Sequence, residues 1–168
     1  YLSRVNIKGS PDQKKNFYTS LYHLLIQPNN QADVGDTKFY STFSLWDTYR
    51  AAHPLYTIVT PEHVSELVNS MLQQARIQGF LPIWALWGKE TFCMIGNHAV
   101  PPIVEACLKD FPGIDQEEAY RWLKQSLINS HKNTNWEVYD QYNYYPYDLI
   151  HEEYVFRTME LNYDDYCA

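Results

Sequence analysis

The stretch Phe43-Ser-Leu-Trp46-Asp47-Thr48-Tyr49-Arg50 and, further along, Trp87-Gly-Lys-Glu90-Thr-Phe-Cys-Met94-Ile-Gly96-Asn97-His98-Ala99 hold the side chains best suited to chemistry in this chain. Asp47 and Arg50 are three residues apart, so on a helix they share a face. Together with Trp46 and Trp87 they offer a carboxylate acceptor, a forked guanidinium donor and flat apolar rings. A pyranose needs that set, because its hydroxyls must be hydrogen-bonded and its C-H faces stack on aromatic rings.

Each of these residues also has a plainer explanation. An Asp/Arg pair on a helix is more often a structural ion pair than a ligand clamp, and Trp46 beside it narrows that difference. Glu90, in a Gly-containing loop between Trp87 and Phe92, is either a candidate general acid or a loop glutamate bonding to nearby backbone. An apolar surround would raise its carboxyl pKa and favour the first role. Asp164 and Asp165 are adjacent carboxylates able to share a proton, bind calcium or bind sugar hydroxyls. On a helix they point roughly 100° apart, so at most one enters a given site. His98, His53 and His151 have no metal-ligand spacing, and a satisfied structural histidine is the default for each. The chain has no H-E-x-x-H, phosphate loop, dinucleotide fingerprint or nucleophile elbow.

The elements that must position these groups are helical. Ser10-Pro11-Asp12-Gln13 is a capping box with proline at the first helical position, and Phe17, Leu21, Leu24 and Leu25 recur at helical spacing until Pro28. Thr60-Pro61-Glu62 repeats the device before a stripe of Val64, Leu67, Val68, Met71, Leu72 and Ala75 that ends at Gly79. Asp115 with Glu118 caps a third helix, and Pro101 to Lys109 reads as a short buried one. Leu45 to Ala52, closed by Pro54, and Glu152 to Tyr166, with Val155, Met159, Tyr163 and Tyr166 on one face, complete six helical segments. No alternating strand pattern stands out. Three long loops, Pro28 to Tyr40, Phe80 to His98 and His131 to Leu149, are rich in Gly, Asn, Pro and aromatics, and such loops line sites.

Composition narrows the function classes. With 168 residues and 45% hydrophobic content the chain is long enough for one core. A formal charge of -7 without a Lys/Arg cluster argues against nucleic acid and anionic membranes. No run approaches the roughly 18 apolar residues of a membrane span, and no signal segment is present. Cys93, Cys107 and Cys167 form neither a C-x-x-C pair nor a zinc spacing. The 15 Tyr, 7 Phe and 5 Trp exceed what one small core uses, which suits either a carbohydrate cleft or an aromatic helix-packing surface. Abrupt ends suggest a piece of a longer protein, with no second domain inside residues 1-168.

Several motifs in order then point to one family. Phe17-Tyr-Thr-Ser-Leu-Tyr-His-Leu-Leu, Tyr40-Ser-Thr-Phe-Ser-Leu-Trp-Asp-Thr-Tyr-Arg-Ala-Ala-His-Pro-Leu, Val68-Asn-Ser-Met-Leu, Cys93-Met-Ile-Gly-Asn-His-Ala-Val-Pro and Arg157-Thr-Met-Glu-Leu-Asn-Tyr-Asp-Asp-Tyr-Cys-Ala resemble the family 92 glycoside hydrolases, calcium-dependent inverting exo-α-mannosidases. The resemblance spans essentially the whole chain. It implies an all-α fold, about half of an (α/α)6 toroid, with Asp47 and Arg50 in the terminal-mannose subsite. Trp46, Trp87, Glu90 and His98 follow as substrate-binding candidates from their nearness to those motifs. Phe156-Arg-Thr-Met-Glu-Leu-Asn-Tyr departs from the usual Ser-x-[KR]-Thr-Leu-Glu-x-x-Tyr.

The resemblance further implies that the catalytic acid, the base and the Ca2+ ligands lie C-terminal to this segment, so that no metal ligand is expected within it and the segment alone is inactive. Mannose-containing oligosaccharides or glycoproteins are the implied partners, along with the rest of the parent polypeptide. The implied location is periplasmic or extracellular. The competing reading is a non-catalytic helical carbohydrate-binding or scaffold module.

Overall fold

The structure, a computed structural model, describes residues 1-132 and 134-168. Residue 133, inside the expected loop His131 to Leu149, lies outside the described residues. Helices dominate: after a 3-10 turn at Leu2–Arg4 come α1 (Pro11–Leu24), α2 (Leu45–Thr48), α3 (Ala52–Val59), α4 (Pro61–Gln78), α5 (Val100–Leu108), α6 (Gln116–Leu127), α7 (Trp136–Tyr142) and α8 (Tyr154–Cys167). None of them is long and apolar enough to cross a membrane.

The helix starts follow the capping chemistry. Ser10 Oγ accepts the Gln13 N–H at 3.3 Å while Gln13 Oε1 accepts the Ser10 N–H at 2.9 Å, and Asp115 Oδ1 accepts the Glu118 N–H at 2.9 Å. Thr60 differs, because α3 runs directly into α4 and Thr60 serves as the end of one and the start of the next. Its hydroxyl donates back to the Tyr56 carbonyl at 3.5 Å, leaving Pro61 alone to mark the start.

Pro54 does not close a helix at Leu45 to Ala52, as the sequence suggested. That segment breaks after Thr48, and Pro54 instead sits in the first turn of α3. There its missing N–H is no loss, since the first N–H groups of a helix have no internal partner.

Five short strands among the described residues also correct the strand-free expectation. β1 (Asn29–Asn30) pairs with β2 (Tyr40–Ser41), while β3 (Phe43–Ser44), β4 (Trp84–Leu86) and β5 (Lys89–Glu90) form a three-stranded antiparallel sheet. The registers place Phe43 opposite Ala85 and Ala85 opposite Glu90. Strands of two or three residues are too short to show alternation, so periodicity could not find them. Their effect is positional: β3 leads straight into α2 and ties it to the β4–β5 hairpin.

The core lies between α4 and the helices around it. Met71, Leu72 and Ala75 of α4 meet Ile103 and Ala106 of α5 and Ala119 and Leu123 of α6, and Gly79, left-handed at φ 88°, ends α4. On α8 only Leu161 and Asp164 are buried. Its Val155, Phe156, Met159, Tyr163 and Tyr166 are exposed, with the Tyr163 ring lying 5.4 Å from the Tyr49 ring, so most of the apolar face read from periodicity is open to solvent.

His53 gives the fold a pH dependence. Its ring is buried in α3, stacked 6.4 Å from Phe43 and edge-on to Tyr56 at 5.5 Å. Burial pushes its pKa down from 6.5 to about 4. Between those values the unfolded chain holds the extra proton and the folded chain does not. Stability is therefore full above pH 6.5 and is lost as pH falls through the window toward about 4, by up to about 1.4 kcal/mol per unit. His131 shifts the same way, also to about 4, through burial first and the Arg157 charge second. A thermal midpoint followed from neutral pH downward should fall across this window, and His53→Gln should flatten the fall.

Candidate functional site

Asp47 and Arg50 stand on α2 and the turn after it, held by Leu45, which is fully buried in the core. Both side chains reach solvent. Ser44 Oγ donates to Asp47 Oδ2, fixing the carboxylate at the start of the turn. Arg50 Nη2 donates to the Tyr49 hydroxyl at 3.5 Å, and its guanidinium carbon lies 5.9 Å from the Tyr49 ring centre. That hydrogen bond is the main reason the guanidinium holds its proton above the usual range, with the Glu160 charge a smaller cause.

Trp46 is 40% exposed, and its indole N–H donates to Glu160 Oε1 on α8 at 3.2 Å. The other Glu160 oxygen lies 3.0 Å from His98 Nε2, and His98 Nδ1 lies 2.9 Å from Asp164 Oδ1. Asp164 Oδ2 accepts the Asn97 N–H at 2.6 Å. His98 is 1% exposed and its ring stacks on Tyr49, with centroids 4.3 Å apart and planes 13° apart. Burial raises the Asp164 pKa, and the hydrogen bond from His98 opposes that rise. The chain of contacts continues inward: His131 Nε2 is 3.3 Å from Asn97 Oδ1 and its ring stacks on Phe80 at 4.5 Å.

Gly96 makes room for this arrangement. Its φ is 80°, and a Cβ there would stand 2.5 Å from His98 Nε2. Only glycine meets both conditions without displacing the ring.

The structure thus brings Trp46, Arg50 and His98 together around Tyr49 and Glu160, with Asp47 on the same turn. Trp87 lies elsewhere, 77% exposed beside Gly88 at the tip of the β4–β5 hairpin. Glu90 turns its carboxylate to backbone, accepting N–H groups from Ile83 at 2.6 Å, Trp84 at 3.0 and 3.1 Å and Phe92 at 2.8 Å. These bonds hold the hairpin closed, matching the plainer of the two readings of Glu90. Asp165 is exposed on α8; partial desolvation of its carboxyl lifts its pKa and the hydrogen bond with Tyr139 opposes the lift.

Glu160 and Tyr49 join the site only through the fold. Glu160 and Asp164 are four residues apart on α8, a spacing that puts both carboxylates on one helix face. That spacing was the available signal, but their shared partner His98 is remote in the chain and only the fold reveals it.

Among the described residues no three His, Cys, Asp or Glu side chains converge in a way that could hold a metal ion.

Comparison with known proteins agrees along the entire chain. No curated protein sequence matches it. Among solved structures it resembles the family GH92 alpha-mannosidase BT3965 from Bacteroides thetaiotaomicron, with TM-score 0.92 and 35% identity over 99% of this chain and 24% of that one. The same enzyme in complex with mannoimidazole gives 0.91 and 36%, again covering 99% and 24%. The family GH92 inverting mannosidase BT2199 from Bacteroides thetaiotaomicron VPI-5482 gives 0.91 and 31%, covering 99% of this chain and 26% of that one. The chain thus spans about a quarter of the length of these structures. The model of the glycosyl hydrolase family 92 catalytic domain matches residues 1–168, and the chain belongs to that family.

Proposed function

We propose that the protein carrying this segment is an inverting exo-α-mannosidase that removes terminal mannose from the non-reducing end of glycans. In this reading the segment forms about half of an (α/α)6 toroid and supplies part of the mannose subsite. The observation that carries the proposal is the family match over all 168 residues, with close backbone agreement to an α-mannosidase. The largely exposed apolar face of α8 supports the partial toroid, since the remaining helices would cover it.

The side chains in hand suit sugar binding rather than bond cleavage. Trp46 offers a ring face for the apolar side of a pyranose, Arg50 donates to its hydroxyls or ring substituents, and Asp47 accepts from them. Inversion requires an acid on the leaving oxygen and a base on water, with the two carboxyl groups roughly 6.5 to 9.5 Å apart. Glu90 does not serve as either, because its oxygens already hold the hairpin. Acid, base and calcium ligands are assigned to parts of the parent protein outside this segment. A periplasmic or extracellular location and glycan or glycoprotein substrates accompany the proposal.

The competing reading, a carbohydrate-binding module without catalysis, separates cleanly in one assay. The intact protein should release mannose from an α-linked mannobiose with calcium, lose that activity on chelation, and regain it when calcium is restored. The isolated segment should release none. Sugar binding by the intact protein without any turnover would favour the binding module.

A further inference from the structure

Glu160 projects from α8 where the exposed and sealed parts of the cluster meet. Its side chain is 19% exposed, while those of His98 and Asp164 behind it are 1% and 0% exposed. Two protein groups face its carboxylate, the Trp46 indole N–H at 3.2 Å and His98 Nε2 at 3.0 Å. A carboxylate has about four lone-pair sites, so acceptor capacity remains. On the exposed side stands Arg50, whose guanidinium feels the Glu160 charge.

The groups behind Glu160 restrict its motion. Asp164 is anchored by the Asn97 N–H at 2.6 Å and faces His98 Nδ1 at 2.9 Å. The His98 ring is sandwiched between Tyr49, 4.3 Å away, and the side-chain-free Gly96. Nε2 meets Glu160 at ion-pair distance but out of line for a hydrogen bond. Asp164 alone already ties α8 to the start of α5. A second carboxylate on the same histidine, partly open to solvent and bridged to an exposed tryptophan, is not needed for that purpose.

We propose that Glu160 is a further sugar-contacting carboxylate of the subsite containing Trp46, Asp47 and Arg50, and that the buried Asp164–His98 pair is a positioning device that fixes its rotamer. The inference rests on the mannosidase reading above. Hydroxyl groups of a pyranose donate to the free lone pairs of Glu160 while the adjacent indole covers a ring face. A side chain ordered before the ligand arrives avoids losing rotamer freedom on binding. His98 and Asp164 touch no sugar in this scheme.

Steady-state hydrolysis of p-nitrophenyl α-mannoside by the intact protein, with thermal midpoints measured in parallel, tests the scheme. Glu160→Gln should raise KM at least tenfold with the midpoint within a few degrees of wild type. Glu160→Asp, which keeps the charge but shortens the reach, should raise KM by a similar factor. His98→Gln should raise KM and also lower the midpoint. Because His98 acts through Glu160, the double variant should show a KM no worse than Glu160→Gln alone, a non-additivity that a purely structural histidine would not produce.

KM unchanged within twofold in both Glu160 variants, or additive effects in the double variant, would overturn the proposal while leaving the mannosidase reading in place. An inactive wild type would overturn both.

Discussion

Arg50→Ala in the intact protein is expected to lower kcat/KM for an α-mannoside by at least a hundredfold while the thermal midpoint stays nearly unchanged. The fold term is small because the guanidinium is exposed and its hydrogen bond to the Tyr49 hydroxyl is long, at 3.5 Å. Its functional term is large in the proposed subsite, because a charge-assisted bond to a bound sugar contributes about 1.5–3 kcal/mol. A hundredfold loss corresponds to about 2.7 kcal/mol. Arg50→Lys should recover only part of the loss, since an ammonium cannot reproduce the planar fork. Asp47→Asn should act in the same direction, because it exchanges a charged acceptor for a neutral amide. Unchanged kinetics in both variants would return the pair to a structural role.

The second large effect is on stability. Asp164→Ala should destabilise the intact protein by at least about 2 kcal/mol, since each of two buried groups left without a hydrogen-bond partner costs about 1–3 kcal/mol. Asp164 is fully buried, and its loss leaves both the Asn97 N–H and His98 Nδ1 without an acceptor. Asp164→Asn should cost less, because its amide oxygen can still take the Asn97 N–H. Urea unfolding of the three proteins measures the difference. A change below about 1 kcal/mol in the alanine variant, the worth of an ordinary hydrogen bond, would mean that the Asp164–His98 pair does not hold α8 against α5.

Much of the scaffold could be read from local chemistry. The Ser10 and Asp115 caps and the Pro61 start depend on residues within one turn of each other, and all three helices begin there. The strands were missed because two or three residues carry no period. The α2–α3 break was misplaced because proline in a first helical turn and proline after a helix look alike until the preceding residues are seen. At the site, Trp46, Asp47 and Arg50 were legible from one continuous run. Glu160 was not, because its importance comes from His98 and Trp46, which approach it only after α5, α8 and α2 have packed.

Glu90 shows the same limit from the other side. A carboxylate flanked by Trp87 and Phe92 looks poised for proton transfer in sequence, yet three backbone N–H donors claim it in the folded hairpin. A tight turn leaves N–H groups that need acceptors, and the nearest carboxylate supplies them. Which of the two outcomes holds is decided by turn geometry, which the residue types alone do not specify.

Proton NMR of the first sugar released from an α-linked mannobiose by the intact protein reports the stereochemistry of cleavage. β-Mannose should appear first and then mutarotate to the equilibrium mixture, as inversion at the anomeric carbon requires. Initial release of α-mannose, or no release of mannose at all, would contradict the proposed inverting mannosidase.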